Sequence, residues 1–343
     1  MEHRLTELWY RERAPPPLLR PLAWLYGTLL AARGRAYAAG WLRSQSAGRP
    51  VVVIGNLTVG GTGKTPLTLW LARELTAQGW RVGIVSRGYG GGARRPRAVD
   101  TAARWREVGD EPLLLARRSG CPTMVGGDRL AAARALAARV DLILADDGLQ
   151  HLRLGRDCEI VVIDGARGFG NGGLLPAGPL REPLARLARA DALVVNGACE
   201  HASLAQTLRG ARLLEMRLVG EQALRVDAAA APRPLAAFRG ERVHAVAGIG
   251  NPARFFAVLR AHGIAVIVHP FPDHHPFTAA ELDFGDALPV LMTEKDAVKC
   301  TAFGNPRLWY VPVDAQFAAD DGRELLRRVL AKVRPAHSAG GQW

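Results

Sequence analysis

The segment Val51-Val-Val-Ile-Gly-Asn-Leu-Thr-Val-Gly-Gly-Thr-Gly-Lys-Thr65 decides the fold of this chain. It starts with a run of β-branched residues typical of a buried strand, continues through closely spaced glycines and ends in Gly-Lys-Thr. A helical pattern follows at once, because Pro66 suits a first turn, an apolar stripe comes after it, and Gly79 ends it. Strand, glycine-rich turn and helix together predict a cradle in which backbone N–H groups and a helix N-terminus face a phosphate.

The residues of this cradle, which we call the phosphate loop (58–65), have separate predicted roles. Lys64 is expected to reach the β- and γ-phosphates, and the Thr65 hydroxyl to bind Mg²⁺. The common pattern has a glycine where this chain has Thr58, so a glycine-rich turn with an incidental Lys-Thr is the alternative. The predicted nucleotide-binding residues are Thr58, Gly60, Gly61, Thr62, Gly63, Lys64 and Thr65.

Length and composition bound the class of protein. A chain of 343 residues with 48% hydrophobic residues is long enough for two α/β domains. The net charge of +13 favours an anionic partner, and charge alone leaves nucleic acid, an acidic membrane surface and a phosphorylated substrate open. Four scattered cysteines speak against structural zinc and fit a reducing cytosol, and the charged N-terminus is not typical of a cleavable signal peptide.

Lysine is rare in this chain. It occurs only at positions 64, 295, 299 and 332, although Lys and Arg together number 45. Against this Arg-rich background Lys64 and Lys295 are expected to be chemically required, because a compact ammonium and a guanidinium fork do different chemistry. Chance survival of a few lysines is the alternative.

An apolar stretch over residues 21–32 lies between Arg20 and Arg33. It is too short to span a bilayer, which takes about 20 apolar residues. Because it carries Trp24 and Tyr26 and is flanked by arginines, it predicts a helix that lies in the headgroup region of a membrane. A helix packed in the core of the first domain is the alternative.

Strand and helix patterns alternate as far as residue 196, which predicts a parallel sheet with helices on both faces and ligand sites at the carboxyl ends of its strands. One strand ends in Asp146 and Asp147, where a nucleotide-binding fold places the carboxylate that holds Mg²⁺. Two acids at this point are also ordinary turn residues.

A second unit is predicted after the linker-like residues 220–242. It opens at 243–253 with a strand and Gly-x-Gly-x-x-Ala, a pattern also found in dinucleotide-binding proteins. We favour a helix N-cap at Asn251 followed by a first-turn Pro252, because one such match is weak.

Candidates for the group that accepts a proton from an attacking hydroxyl are Asp110 and Glu111, which precede a helix headed by Pro112. His274 or His275 is a candidate to orient such a carboxylate. Taken singly, the acids also fit a helix N-terminus, and the two histidines also fit an exposed loop.

Together these motifs resemble the tetraacyldisaccharide 4′-kinase family, the lipid A 4′-kinases, over nearly the whole chain. The segments that carry the resemblance are Gly55-Asn-Leu-Thr-Val-Gly-Gly-Thr-Gly-Lys-Thr-Pro66, Ser86-Arg-Gly-Tyr-Gly-Gly91, Gly109-Asp-Glu-Pro112, Asp146-Asp-Gly-Leu-Gln-His151, Pro179-Leu-Arg-Glu-Pro183, Phe271-Pro-Asp-His274 and Thr293-Glu-Lys-Asp296. The phosphate loop of this family also departs from the common pattern, so Thr58 is no objection.

The resemblance implies an ATP- and Mg²⁺-dependent kinase that transfers the γ-phosphate to the 4′-hydroxyl of a tetraacylated glucosamine disaccharide 1-phosphate, giving lipid IVA in lipid A biosynthesis. It also implies a position at the cytoplasmic face of the inner membrane of a Gram-negative bacterium. The implied partners are the membrane-embedded lipid substrate and an anionic membrane surface, and not nucleic acid. The N-terminal helix then becomes a monotopic anchor.

Family roles carried to matching positions make Asp110 the catalytic base, with His274 paired to it. Lys64 would stabilise the transferring phosphate, and Thr65 and Asp147 would hold the metal with Glu111 nearby. Further site candidates are Asp146, Gln150, Arg181 and Glu182, and candidates to contact anionic lipid and the 1-phosphate are Arg87, Arg94 and Arg95.

The expected fold class is α/β, with a phosphate-loop-containing parallel sheet covered by helices on both faces, a second smaller α/β domain and an N-terminal membrane-associating helix. The expected division is 1–40 for that helix, 41–225 for the ATP-binding core and 226–343 for the smaller domain, which closes the active-site cleft. The residues alone leave two other classes open, a nucleic-acid-dependent ATPase and a nucleotide-binding regulatory module. Only 6% of residues are aromatic, which disfavours the ATPase.

Overall fold

The structure is a computed structural model that describes residues 8–10, 14–88, 91–92, 95–199, 201, 204 and 207–333. Of the residues singled out in the sequence, Arg94 lies outside the described residues, and so do Tyr89 and Gly90 of the motif that begins at Ser86.

The secondary structure of the described residues alternates between strands and helices through most of its length. The α-helices are α1 (Arg20–Ala38), α2 (Lys64–Ala77), α3 (Trp105–Val108), α4 (Asp110–Ser119), α5 (Arg129–Ala137), α6 (Pro252–Ala261), α7 (Glu294–Cys300) and α8 (Ala319–Val333). The strands are β1 (Val51–Gly55), β2 (Val82–Ser86), β3 (Arg97–Ala98), β4 (Thr123–Val125), β5 (Leu142–Asp146), β6 (Cys158–Asp164), β7 (Ala192–Asn196), β8 (Leu213–Val219), β9 (Gln222–Arg225), β10 (Arg233–Pro234), β11 (Arg242–Ala247), β12 (Ala265–Pro270), β13 (Val290–Thr293), β14 (Leu308–Val311) and β15 (Asp314–Phe317).

Nine strands of the described chain form the larger sheet, in the order β15-β8-β7-β6-β1-β5-β2-β4-β3. Neighbours from β8 to β4 run parallel, and β15 and β3 pair antiparallel at the two edges. Helix α5 covers one face through Leu130 and Leu136, and α2 and α8 cover the other through Leu71 and Val329. The predicted parallel sheet with helices on both faces is confirmed.

Strand β1 occupies the middle of this sheet, between β5 and β6. Val51 and Val53 pack into the core on one face, and Val52 and Ile54 pack into the core on the other. A strand buried on both faces reads as a continuous apolar run, which is why the sequence identified it. The phosphate loop therefore leaves the carboxyl end of a central strand, where α/β sheets place their ligands.

Six strands form the smaller sheet, in the order β10-β9-β14-β13-β11-β12. Strands β14, β13, β11 and β12 run parallel, and β9 and β10 pair antiparallel at one edge. Helix α6 covers one face through Phe256 and Leu259, and α7 covers the other through Ala297 and Cys300. This is the expected second, smaller α/β unit.

The two sheets do not divide the chain at the expected boundary between residues 225 and 226. Strand β15 pairs with β8, and α8 packs on the larger sheet, so residues 314–333 return to the first unit. Strand β9, which the expected division placed in the core, pairs with β14 of the smaller sheet. The apolar stripe of α8 predicts a helix with one buried face, but the pattern does not say which sheet that face covers.

Helix α1 packs one side against the larger unit. Tyr26 donates to the Arg181 carbonyl at 2.8 Å, and Gly27 lies so close to Leu174 that a Cβ would approach its side chain to 3.0 Å. The other side of the helix exposes large apolar side chains, including 72% of Trp24 and 62% of Leu29. Among the described helices, none has the length and apolar character that a membrane crossing requires.

Candidate active site

The phosphate loop requires glycine at two positions where the backbone is left-handed. Gly60 has φ of 107° and Gly63 has φ of 100°. A Cβ at Gly63 would also lie 2.6 Å from Asn196 Nδ2, so a side chain there is excluded by conformation and by space. Gly63 is the N-cap of α2, which starts at Lys64. The turn and the helix N-terminus are thus joined as the sequence predicts.

The carbonyl groups of the loop are held by neighbouring side chains. Asn56 Nδ2 donates to Thr58 O at 2.8 Å, Arg167 Nη2 to Gly61 O at 2.9 Å and Asn196 Nδ2 to Thr62 O at 2.9 Å. In a planar trans peptide the N–H points away from the C=O of the same unit, so these bonds aim the next N–H groups to the opposite side. The loop presents donors to an anion, next to the positive end of α2.

Two adjacent acids at the end of β5 have different environments. Asp146 is buried, accepts from the Thr68 hydroxyl at 2.9 Å and lies 3.4 Å from the Thr65 hydroxyl. Burial, reinforced by the charge of Glu111, raises the pKa of Asp146 to about 7. Asp147 has φ of 50° and accepts from Arg181 at 3.1 Å, and its Oδ1 lies 3.5 Å from Lys64 Nζ.

The cations around Asp147 lower the pKa of its carboxyl group. Burial would raise the pKa of Asp147, but Lys64 and Arg181 outweigh burial and hold the pKa well below its usual range. We expected Thr65 to act with Asp147, whereas the structure brings Thr65 to Asp146 and gives Asp147 cationic partners. Asp146 is therefore the carboxylate next to the Thr65 hydroxyl.

Asp110 and His274 meet although 164 residues separate them. His274 Nδ1 lies 2.9 Å and 3.0 Å from the two oxygens of Asp110, and the histidine backbone has φ of 60°. Asp110 is the first residue of α4 and only 2% exposed. Burial would raise its pKa, but the hydrogen bond from His274 and the charges of Lys295 and Lys299 hold the pKa below its ordinary value.

Two lysines of α7 surround this pair. Lys295 Nζ lies 2.9 Å from Glu111 Oε1 and 3.3 Å from His274 Nε2. Lys299 Nζ lies 3.7 Å from Asp110 Oδ2. The first unit contributes the acids and the second contributes the histidine and the lysines, so this cluster exists only where the two units meet.

A cavity of about 200 Å³ lies beside Asp147. We call it the arginine cavity, and its lining is Arg87, Gly127, Arg129, Asp147, Gln150, His151 and Arg181. Burial lowers the pKa of Arg129 to about 10, and burial together with the charge of Arg129 lowers the pKa of His151 to about 4. Neither residue was a candidate from the sequence, because an Arg at a helix start and a His after a turn carry no signal of their own.

Comparison with known proteins agrees with this geometry. The sequence profile of the Tetraacyldisaccharide-1-P 4'-kinase family matches residues 16–333. The chain belongs to this kinase family. Tetraacyldisaccharide 4'-kinase from Alkalilimnicola ehrlichii is 52% identical over 96% of this chain and 97% of its own length. The enzyme of the same name from Nitrosococcus oceani is 48% identical, over 94% and 93%.

A solved structure of the same family shows that the similarity extends to the fold. LpxK from Aquifex aeolicus, crystallised in complex with ATP, is 29% identical to the kinase and superposes with a TM-score of 0.73, covering 92% of this chain and 98% of that chain. The resemblance read from the motifs is thus confirmed. The kinase is an enzyme of lipid A 4′-phosphorylation that acts on a lipid disaccharide, which decides against the ATPase and regulatory alternatives.

The remaining predicted site residues of the kinase have structural partners. Gln150 lines the arginine cavity and donates to the Asn56 carbonyl at 3.1 Å. Glu182 pairs with Arg186 at 3.3 Å, and Arg186 also pairs with Glu159. His275 pairs with Glu281 at 2.9 Å, so His274 is the member of the histidine pair that reaches Asp110.

The turn after β11 packs against the phosphate loop and leads into α6. Asn251 caps α6 by accepting from Arg254 N at 3.4 Å, as the sequence predicts. Gly250 lies against the phosphate loop, because a Cβ on it would come within 2.5 Å of Gly61 N. The glycine is needed for this close approach between the two units.

Proposed function

We propose that the kinase binds ATP in the phosphate loop and that Asp110 accepts the proton of the 4′-hydroxyl during phosphoryl transfer. The bond from the 4′-oxygen to the γ-phosphorus forms, the bond from that phosphorus to the β,γ-bridging oxygen breaks, ADP leaves, and the proton passes to a carboxylate oxygen of Asp110. The observation that carries the proposal is the contact between Asp110 and His274 at the junction of the two units.

The residues around the loop have matching roles in this proposal. His274 orients the Asp110 carboxylate through Nδ1, at 2.9 Å. Lys64, whose Nζ lies 3.2 Å from Asn56 Oδ1, is held where a terminal phosphate would follow the loop amides. A fixed cation there stabilises the charge that develops on the transferring group.

The donor atoms near Thr65 fit Mg²⁺. A hydroxyl and carboxylates are the hard oxygen ligands that this ion takes, usually together with phosphates and water. We propose Thr65 and Asp146 as its protein ligands, with the predicted Asp147 and Glu111 as further candidates. Bound there, Mg²⁺ would neutralise charge on the β- and γ-phosphates.

We propose the arginine cavity as the place where the polar part of the lipid acceptor is received. Arg129 and Arg181 supply positive charge beside Asp147, and Arg87 also lines the cavity. These side chains suit hydroxyl and phosphate groups. The cavity adjoins α1, because Tyr26 contacts the Arg181 carbonyl and Arg33 Nη2 donates to the Gln150 carbonyl at 2.9 Å.

We further propose that α1 lies in the headgroup region of an anionic membrane, at the cytoplasmic face of the inner membrane. The apolar side chains exposed at this end are Leu18, Leu22, Trp24, Leu25, Leu29, Trp41 and Leu42. Aromatic and aliphatic side chains flanked by arginines are typical of interfacial helices. A lipid held in the bilayer would then meet the cavity without leaving the membrane.

Asp110→Asn tests the proposed base. The amide keeps the shape of the side chain but accepts a proton poorly, so we expect kcat to fall by about 10²- to 10⁴-fold. The Kd for ATP with Mg²⁺ should stay unchanged, because Asp110 is not part of the loop. Turnover is measured with lipid disaccharide 1-phosphate in mixed micelles and ATP binding by calorimetry.

Asp141→Asn is the matched control for this variant. Asp141 pairs with Arg81 at 2.6 Å on the surface, away from the site, so its loss should leave kcat unchanged. Turnover near the wild-type value in Asp110→Asn would remove Asp110 as the base.

A further inference from the structure

Helix α7 carries two of the four lysines of the chain, and both reach the Asp110 and His274 pair. Lys295 lies at the edge of the site, whereas Lys299, one helical turn further on, has 0% of its side chain exposed. A buried ammonium is costly unless it is well paired. The position of Lys299 therefore needs a physical reason.

Lys299 is enclosed by two carboxylates and an aromatic ring. Its Nζ lies 2.8 Å from Asp296 Oδ1, 3.7 Å from Asp110 Oδ2 and 5.1 Å from the centre of the Phe277 ring. A compact ammonium fits between these groups, whereas a wide planar guanidinium would have to displace one of them. This agrees with the retention of lysine here in a chain that otherwise uses arginine.

Asp296 fixes Lys299 relative to the phosphate loop. Asp296 Oδ2 accepts from Gly248 N at 2.8 Å and from the Thr293 hydroxyl at 2.6 Å. Gly248 begins the turn that ends at Gly250, which lies against Gly61. The ammonium is thus held by a group attached to the turn that touches the phosphate loop.

We propose that Lys299 is a positioning residue for phosphoryl transfer that acts through Asp110. Its ammonium attracts Oδ2 of the carboxylate electrostatically across 3.7 Å, while His274 Nδ1 is hydrogen-bonded to the carboxylate from another direction. A carboxylate fixed from two sides keeps one orientation toward the hydroxyl that loses its proton, and such orientation accounts for much of catalytic rate. The inference rests on the proposed role of Asp110 as base.

Two variants test this role. Lys299→Met combined with Asp296→Asn removes both buried charges at similar volume, and Lys299→Gln removes the positive charge but keeps a polar side chain beside Asp296. In each we expect kcat to fall about tenfold to a hundredfold, while KM for ATP changes by less than about twofold, because neither side chain belongs to the phosphate loop. Lys332→Met is the control, since Lys332 pairs with Asp191 at 2.8 Å on the surface and should keep full kcat.

The outcomes distinguish a positioning role of Lys299 from a purely structural role. Wild-type kcat in either folded variant overturns the proposal, and so does a lower melting temperature with KM for ATP raised and kcat unchanged. If neither variant folds while Lys332→Met does, Lys299 is structural and the proposal is also overturned. Asp110→Asn measured in parallel identifies which idea fails. Full turnover there removes the base, whereas lost turnover there with full kcat in the lysine variants removes only the positioning role.

Discussion

The phosphate loop and the Asp110 and His274 pair are built in opposite ways. The loop is one contiguous segment between a central strand and the helix it starts, and side chains close to it hold its carbonyl groups. The pair joins residues that lie 164 positions apart and belong to different units. The loop therefore lies within one unit, whereas the pair exists only where the two units pack together.

This difference separates binding from chemistry. The loop is set by its own glycines and by side chains of the first unit, Arg167 and Asn196 among them, and its helix N-terminus and amides suit a phosphate. The proton transfer that we propose needs the second unit in place, because His274 and both α7 lysines come from there. We therefore expect changes in the loop to alter ATP binding and turnover together, and changes in the pair to alter turnover alone.

Lys64→Met is expected to have the largest effect, and it tests whether a change in the loop alters ATP binding and turnover together. Removing the ammonium takes away a fixed cation at the terminal phosphate, so we expect kcat to fall on the order of 10²- to 10³-fold. ATP binding should weaken at the same time, by on the order of tenfold, because the ammonium would also attract the phosphates of bound ATP before the reaction. Single-turnover rates and calorimetric titration measure the two effects, and unchanged ATP affinity would show that Lys64 acts on the transition state only.

The loop and the acids at the end of β5 could be predicted from the sequence because they depend on local pattern. A β-branched run, three glycines and Lys64 lie within one segment, and Asp146 ends a strand that the apolar pattern identifies. The pattern did not decide between Asp146 and Asp147. That choice depends on which carboxylate faces the Thr65 hydroxyl, and only the packed structure supplies this.

The Asp110 and His274 pair, the arginine cavity and the role of Lys299 could not be predicted from residue patterns alone. Asp110 and His274 each have an ordinary structural explanation, and the residues alone left Glu111 and His275 as alternatives, so only the family resemblance selected this pair. Arg129 and His151 gain their meaning from the cavity that they line, and no spacing in the sequence indicates it. Lys299 carried one usable signal, the rarity of lysine in this chain, and no spacing in the sequence assigns it a role.

The exposed apolar side chains of α1 allow a test of how the proposed lipid acceptor is reached. Replacing Trp24, Leu25 and Leu29 with serine removes apolar surface that we propose enters the membrane, so binding to anionic vesicles should weaken at least about tenfold. The Kd for ATP should not change, because these three side chains are exposed on the outer side of the helix. Vesicle flotation measures the partition.

A control for these substitutions comes from the smaller sheet. Val268 is 40% exposed on β12, and Val268→Ser should leave vesicle binding unchanged. Full recovery of the triple variant with vesicles would contradict the proposed membrane face, whereas equal loss in both variants would point to a general effect of surface polarity.

His151 allows the smallest test, on the arginine cavity. Burial and the charge of Arg129 lower its pKa from 6.5 to about 4, so the folded protein binds this proton less readily than the unfolded chain does. The neutral histidine favours the folded state above about pH 6.5, and this contribution is lost as the pH falls toward 4. Solvent reduces the effect, and we expect on the order of 1 kcal/mol.

His151→Gln should therefore lose less stability than the wild type between pH 7 and pH 4.5, by on the order of 1 kcal/mol in the free energy of unfolding, because the glutamine cannot take up the proton. Urea denaturation at the two pH values measures this difference. If His151→Gln loses as much stability as the wild type, the cavity does not suppress protonation of His151, and the positive charge of the cavity is weaker than its lining indicates.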